Sequence, residues 1–177
     1  MSPILRSDLG RALMTASHRT GSFTLRSGQT STEYFDKYQF EARPELLSSI
    51  ALHLRPLIPP GTQLLAGLEM GGIPLASALG LLTGLPTVFV RKEAKPYGTC
   101  QLAEGPLVVG RRVLVIEDVI TTGGQVVDSV AQLRSAGAQA DSVLCVIDRS
   151  EGRTERLKQA GLSLSALFTM AELKSFS

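Results

Sequence analysis

Val113-Leu114-Val115-Ile116 runs directly into Glu117 and Asp118, then into Val119, Ile120, Thr121, Thr122, Gly123 and Gly124, with Gln125 opening an amphipathic stretch. Apolar, mostly β-branched residues bounded by turn residues describe a strand covered on both faces, the usual state in a parallel sheet. Two hydroxyls and two glycines at a helix start offer backbone N–H groups and the positive end of the helix dipole, both of which favour a phosphate. Two carboxylates beside that cradle repel a bare phosphate but accept hydrogen bonds from sugar hydroxyls. The combination points to a phosphorylated sugar. Acids at a strand end are commonly solvated and Thr-Gly loops are common; the direct junction with a buried strand favours a site.

A second group is cationic. Arg91, Lys92 and Lys95 follow a short β-branched run and open the segment 92–111, which holds three glycines and two prolines. Alone, such a cluster reads as charged surface, but irregular connections of this length are usually functional or mobile, so a polyanion is the expected partner. Arg149 lies beside two acids, Asp148 and Glu151, that could simply pair with it, and Tyr34 with Phe35 reads equally as core or as a ligand wall. His18 and His53 sit in helix-like contexts without a partner pattern and read as structural. Cys100 and Cys145 form neither a CxxC pair nor a zinc-like Cys/His spacing.

These groups need a scaffold, and the chain alternates accordingly. A helix over 5–17 starts at Ser7 as N-cap, a hairpin-like pair of short strands covers 23–28 and 33–36, and a helix from Pro44 ends at Pro56. Beyond 59–61 the pattern reads strand 63–68, helix 73–82, strand 87–90, strand 112–117, helix 125–136, strand 142–147, helix 154–160 and a final strand 162–167. Alternation of this kind predicts one α/β domain, a parallel sheet flanked by helices, with ligands beyond the carboxyl ends of the strands. Glu117 and Asp118 are expected at such an end. The 177 residues suit a single domain, and 18 Lys and Arg against 16 Asp and Glu leave no whole-molecule field for nucleic acid. No membrane span or leader is expected, and two cysteines fit a reducing cytoplasm.

The chain resembles the type I phosphoribosyltransferases, whose hallmark is V-L-V-I-E-D-V-I-T-T-G-G at 113–124, and within them the orotate phosphoribosyltransferases. Matching segments are F-T-L-R-S-G at 23–28, Y-F-D at 34–36, G-G-I-P at 71–74, R-K-E-A-K at 91–95 and D-R-S-E-G at 148–152. The resemblance implies a type I phosphoribosyltransferase fold with a small N-terminal hood (1–43) and a mobile catalytic loop (93–111). It implies transfer of ribose 5-phosphate from phosphoribosyl diphosphate to N1 of orotate, with Mg²⁺ riding on the diphosphate and no protein metal ligands. In that reading Val119 to Gln125, with Thr121 and Thr122, hold the 5-phosphate, while Glu117 and Asp118 hold the ribose hydroxyls. Arg91, Lys92 and Lys95 hold the diphosphate, and Lys95, Asp118 and Glu117 are catalytic. Arg149 and Thr121 face orotate, with Arg26, Tyr34 and Phe35 as its N-terminal wall. The resemblance further implies a homodimer in which each loop reaches its neighbour's site. Three departures stand out: Tyr97 occupies a position where relatives often carry histidine, Gly71 one where many carry lysine, and Arg26 one often held by lysine. A purine phosphoribosyltransferase and a nucleotide-sensing regulator are the competing readings.

Overall fold

The computed structural model describes residues 4–24, 28, 30–92 and 102–176. Helix α1 (Arg6–Ser17) leads into an antiparallel hairpin of β1 (His18–Thr24) and β2 (Thr30–Phe35), a two-stranded sheet by itself. A short helix α2 (Tyr38–Glu41) and helix α3 (Pro44–Leu54) follow; proline at N1 suits a helix start, and a 3₁₀ turn containing Pro56 ends it. The remainder alternates: β3 (Leu64–Leu68), α4 (Gly72–Thr83), β4 (Thr87–Val90), β5 (Ala103–Glu104), β6 (Arg112–Ile120), α5 (Gly124–Ser135), β7 (Gln139–Asp148), α6 (Glu155–Gln159), β8 (Ser163–Thr169) and α7 (Met170–Ser175).

The main sheet has the order β5-β4-β3-β6-β7-β8. Every pairing is parallel except β4 with β5. From β3 the chain crosses outward to β4 on one side and returns to β6 on the other, so the topological switch lies between β3 and β6. Ligand crevices open there, beyond the strand ends. Pleating sends successive residues to opposite faces. Leu114 and Ile116 pack with Leu9, Leu13, Ile50, Leu75 and Leu79 under α1, α3 and α4, whereas Val113 and Val115 pack with Val126, Val130, Leu133 and Leu157 under α5 and α6. Burial on both faces explains why β6 reads as a continuous apolar run.

Several expectations require correction. Leu5, not Ser7, is the N-cap of α1, and no side chain caps it. His18 opens β1 rather than lying in a helix. Strand β6 continues past Glu117 and Asp118 to Ile120 because β7 supplies pairing as far as Ile120 with Asp148. The irregular segment contains β5, which makes the sheet edge antiparallel. Helices α2 and α7 were not anticipated. One is too short to show periodicity, but α7 carries a legible signal, the capping box in which Thr169 accepts from the Glu172 backbone and Glu172 reaches back to Thr169. Arg26, Lys95, Tyr97 and Cys100 lie outside the described residues.

Candidate active site

The site grows from the carboxyl end of β6. Pleating directs Asp118 to the face shared with α4, where it is fully buried. Its carboxylate fills the space beside Gly71: a β-carbon on that glycine would stand 1.7 Å from Asp118 Oδ2 and 2.6 Å from Glu41 Oε1. Only glycine fits this turn. The Lys37 ammonium, at the N-cap of α2, lies 2.6 Å from the same Asp118 oxygen and keeps its side chain 32% exposed. Glu117, also buried, accepts from the Asp118 backbone N–H through Oε1 at 3.3 Å. Three carboxyls and one ammonium therefore share one buried cluster.

Their charges diverge. Burial, reinforced by neighbouring Asp118, pushes Glu41 up to about 9 and Glu117 well above the ordinary carboxylate range. Burial also acts against charge on Asp118, but hydrogen bonds from Glu117, Glu41 and Lys37 outweigh it and hold Asp118 below its usual value. Lys37 follows the same pattern: burial disfavours the ammonium, and Asp118 with Glu117 more than compensates, raising its pKa. The cluster thus resolves into one anion, Asp118, supported by two carboxylic acids and a cation. Two ionised acids were expected here; burial instead pushes Glu117 towards its protonated form.

Beyond β6 the chain turns through Thr121 and Thr122 into Gly123, whose φ of 71° lies in the left-handed region and which serves as N-cap of α5. Leucine 157 packs so closely that a β-carbon on Gly123 would approach it to 2.9 Å. No side chain caps α5. Its first N–H groups are therefore left without a side-chain partner, as at the helix starts that receive anions. Val119 and Ile120 belong to β6, with the Val119 N–H donating to Asp118 Oδ1 and the Ile120 carbonyl accepting from the Arg149 N–H at 2.8 Å. Gln125 instead uses its side chain to donate to the Glu69 carbonyl at 3.1 Å.

A cavity of about 550 Å³ adjoins this cradle. Thr121, Thr122 and Arg149 line it with Tyr34 and Phe35, so five predicted residues meet there. Phe35 also packs its ring 6.3 Å from that of Phe40, and Tyr34 sits 5.5 Å from Phe23, so these aromatics are both wall and packing. Arg149 has no ion pair among the described residues; Asp148 accepts from the Ser150 N–H, and Glu151 pairs with Arg153 at 3.1 Å. His18 also lines the cavity, 3.6 Å from Glu33.

Arg91 and Lys92 stand apart from that cavity, past the end of β4. Arg91 approaches Glu104 at 3.7 Å, and the Lys92 N–H donates to Glu69 Oε2 at 3.2 Å. Glu69 thereby ties the cationic segment and α5 to the turn after β3. Sequence reasoning missed Lys37, Glu41 and Arg156. The Arg156 guanidinium would lie 3.0 Å from a β-carbon on Gly124, directly over the cradle. None of the three carries a local motif, since each reaches the site only through tertiary packing.

A buried acid cluster at the switch point, a helix start and an arginine-lined cavity follow one another along 117–124 and Arg149. The profile of the phosphoribosyl transferase domain matches residues 50–165. A protein of Nocardioides sp. strain JS614 named orotate phosphoribosyltransferase is 58% identical over 154 residues, covering 87% of this chain and 86% of that protein. The chain belongs to the phosphoribosyltransferase family, among the orotate phosphoribosyltransferases. The structure of the Mycobacterium tuberculosis H37Rv orotate phosphoribosyltransferase in complex with Fe(III) dicitrate superimposes with a TM-score of 0.84 at 31% identity, covering 95% of this chain and 98% of that one. The same enzyme in complex with 5-phospho-α-D-ribosyl 1-diphosphate gives 0.80 at 28% identity, covering 96% and 98%. In this family frame, the residues at the β3–β6 switch point form the candidate phosphoribosyl site.

Proposed function

We infer that this phosphoribosyltransferase transfers the 5-phosphoribosyl group from phosphoribosyl diphosphate to N1 of orotate, giving orotidine 5′-monophosphate and diphosphate in de novo pyrimidine synthesis. The observation that carries the reading is the position of Asp118 at the end of β6, directly before the Thr121–Thr122 turn that lines one cavity with Arg149. Names of relatives and the diphosphate complex of the Mycobacterium tuberculosis enzyme support both substrates.

Thr121 to Gln125 receive the 5-phosphate, and Asp118 with Glu117 receives the ribose hydroxyls. As the C1–O bond to diphosphate breaks and N1 bonds to C1, positive charge grows on the ribose ring, and a fixed carboxylate stabilises it. Arg91, Lys92 and Lys95 receive the departing diphosphate. Arg149 offers orotate's carboxylate a charge-assisted pair, with Thr121, Arg26, Tyr34 and Phe35 around the ring. The N1 proton of orotate is acidic, so the protein needs no strong base.

Among the described residues no group of three or more His, Cys, Asp or Glu is arranged to hold a metal ion. The acid cluster is neutralised by Lys37 and by its own protons, which fits Mg²⁺ arriving on the substrate's diphosphate rather than in a protein cage. When bound there, Mg²⁺ supplies neutralisation of the leaving group. A homodimer sharing loops suits the apolar surface over α3 and α4, where Leu81 is 92% exposed beside Leu47, Leu52 and Leu82. Cytoplasmic residence suits the free thiol of Cys145. Among the described residues no helix is long and apolar enough to cross a membrane.

Following orotate absorbance with phosphoribosyl diphosphate and Mg²⁺, with each omitted in turn, tests the reading. Loss of absorbance only when all three are present supports it. Turnover of adenine, hypoxanthine or uracil in place of orotate contradicts it.

A further inference from the structure

Asp118 is held by two side chains from the N-terminal segment that no motif marks. We propose that Lys37 and Glu41 are positioning residues for Asp118: the ammonium and a carboxylic acid clamp it as the anion of the ribose site. The proposal deepens the phosphoribosyl-transfer reading and rests on it for its kinetic arm.

The geometry requires a proton. Glu41 Oε1 and Asp118 Oδ2 are both buried and both abut the place a β-carbon on Gly71 would occupy, at 2.6 and 1.7 Å. Neither oxygen has a hydrogen-bond partner among the described residues, and the Lys37 ammonium meets Asp118 Oδ2 as an ion pair. Two ionised carboxylates packed this closely away from water repel each other and pay desolvation twice. Protonating Glu41 removes one charge and turns the remaining contact into an O–H donated to Asp118. Lys37 then balances the single charge left, 2.6 Å away, while its partly exposed side chain keeps the ammonium hydrated. Other charged or titratable groups facing the cluster are Asp36 and Tyr38 from the same segment, Glu117 from β6, and Cys145 with Asp148 from β7. None of them supplies a second cation.

The clamp also explains Gly71. Asp118 occupies the volume of a side chain there, so the turn after β3 contributes space, and the positive charge beside the acid comes from α2 instead. The N-terminal segment is thereby part of the ribose site as well as a wall for the base.

The test compares Lys37→Met, Glu41→Gln and Glu41→Ala in the full chain. Gln keeps an N–H donor where the acid donates, so Glu41→Gln should recover most of the kcat/KM for phosphoribosyl diphosphate that Glu41→Ala loses. Lys37→Met should raise KM for phosphoribosyl diphosphate about tenfold or more, leave KM for orotate within about twofold, and move the acid limb of kcat/KM to higher pH. A lower melting temperature in Lys37→Met with unchanged kinetics and pH profile would reduce the clamp to a structural contact and overturn the proposal. So would a Gln variant as impaired as the Ala variant. A ¹³C-carboxyl NMR titration of the unmodified protein is independent of turnover and of variant folding. A Glu41 resonance that stays protonated at pH 7 supports the clamp, and an ionised one overturns it. If orotate is not turned over at all, the NMR arm and calorimetric binding of phosphoribosyl diphosphate to the variants still decide the clamp, and only the functional reading fails.

Discussion

At the scale of single residues, function concentrates on charges whose surroundings have been set in advance. In the proposed reaction Asp118 carries the negative charge that stabilises a developing positive sugar, and its carboxylate is held by Lys37 and the Val119 N–H. Asp118→Asn keeps the shape and removes the charge, so kcat should fall about 100-fold or more with the far-UV spectrum unchanged. Near-normal kcat would remove Asp118 from the chemistry. Arg149 has a different job. Unpaired among the described residues and facing the cavity, it is available for a carboxylate. Arg149→Ala should raise KM for orotate about 10- to 100-fold while KM for phosphoribosyl diphosphate changes little. Steady-state titration of each substrate separates the two, and a shift confined to phosphoribosyl diphosphate would reassign the arginine. Both residues were legible in the sequence because each sits in a short local pattern. Lys37 and Glu41 were not, because their significance depends on which face α2 presents to β6.

Among the elements, the turn between β3 and α4 decides how closely the sheet and the N-terminal segment can approach. Gly67 and Gly72 pack against each other, with a β-carbon on Gly72 meeting the Ile116 carbonyl at 2.2 Å, and Gly71 yields its side-chain space to Asp118. Gly71→Ala should therefore displace the Asp118 carboxylate and reproduce the kinetic loss of Asp118→Asn, although neither a charge nor a ligand contact has been deleted. Full activity in a folded Gly71→Ala protein would show that Asp118 moves without consequence. The long apolar elements β3, β6 and β7 were readable from burial on two faces, and α3 and α5 from their start signals. Strand β5 has two residues and exists through its pairing with Phe89 and Val90, which leaves no pattern within the strand itself.

For the whole molecule, the buried acids couple folding to pH. Glu41 titrates at about 9 when folded against an ordinary 4.5, so its contribution to stability is complete below about pH 4.5 and is lost as pH rises towards 9. Asp118 runs the other way: held low, it stabilises the fold above about pH 3.8 and loses that effect as pH falls through its lowered value. Thermal unfolding between about pH 5 and 9 should show a shallower decline for Glu41→Gln than for the parent chain; parallel curves would contradict a protonated Glu41. Assembly gives a second prediction at this scale. If each loop serves the neighbouring site, mixing Lys95→Ala with Arg149→Ala chains at orotate concentrations too low for the Arg149→Ala site should raise activity above that of either variant alone, because one site in each mixed dimer is intact. Verified mixed dimers without recovery would argue for self-contained sites.

The amino-acid sequence by itself determined the alternating α/β scaffold, the buried strand of 113–116, the helix-start cradle and the arginine after β7. These depend on periodicity, chain punctuation and residues adjacent in sequence, which local physics constrains. Only the tertiary structure decided that burial and neighbours drive Glu41 and Asp118 in opposite directions, that Val119 and Ile120 belong to the strand, and that Lys37 and Glu41 meet Asp118 while Arg156 stands over Gly124. Ionisation depends on burial and on neighbours brought from distant elements, and neither is present until the hairpin segment, the β3 turn and β6 pack together.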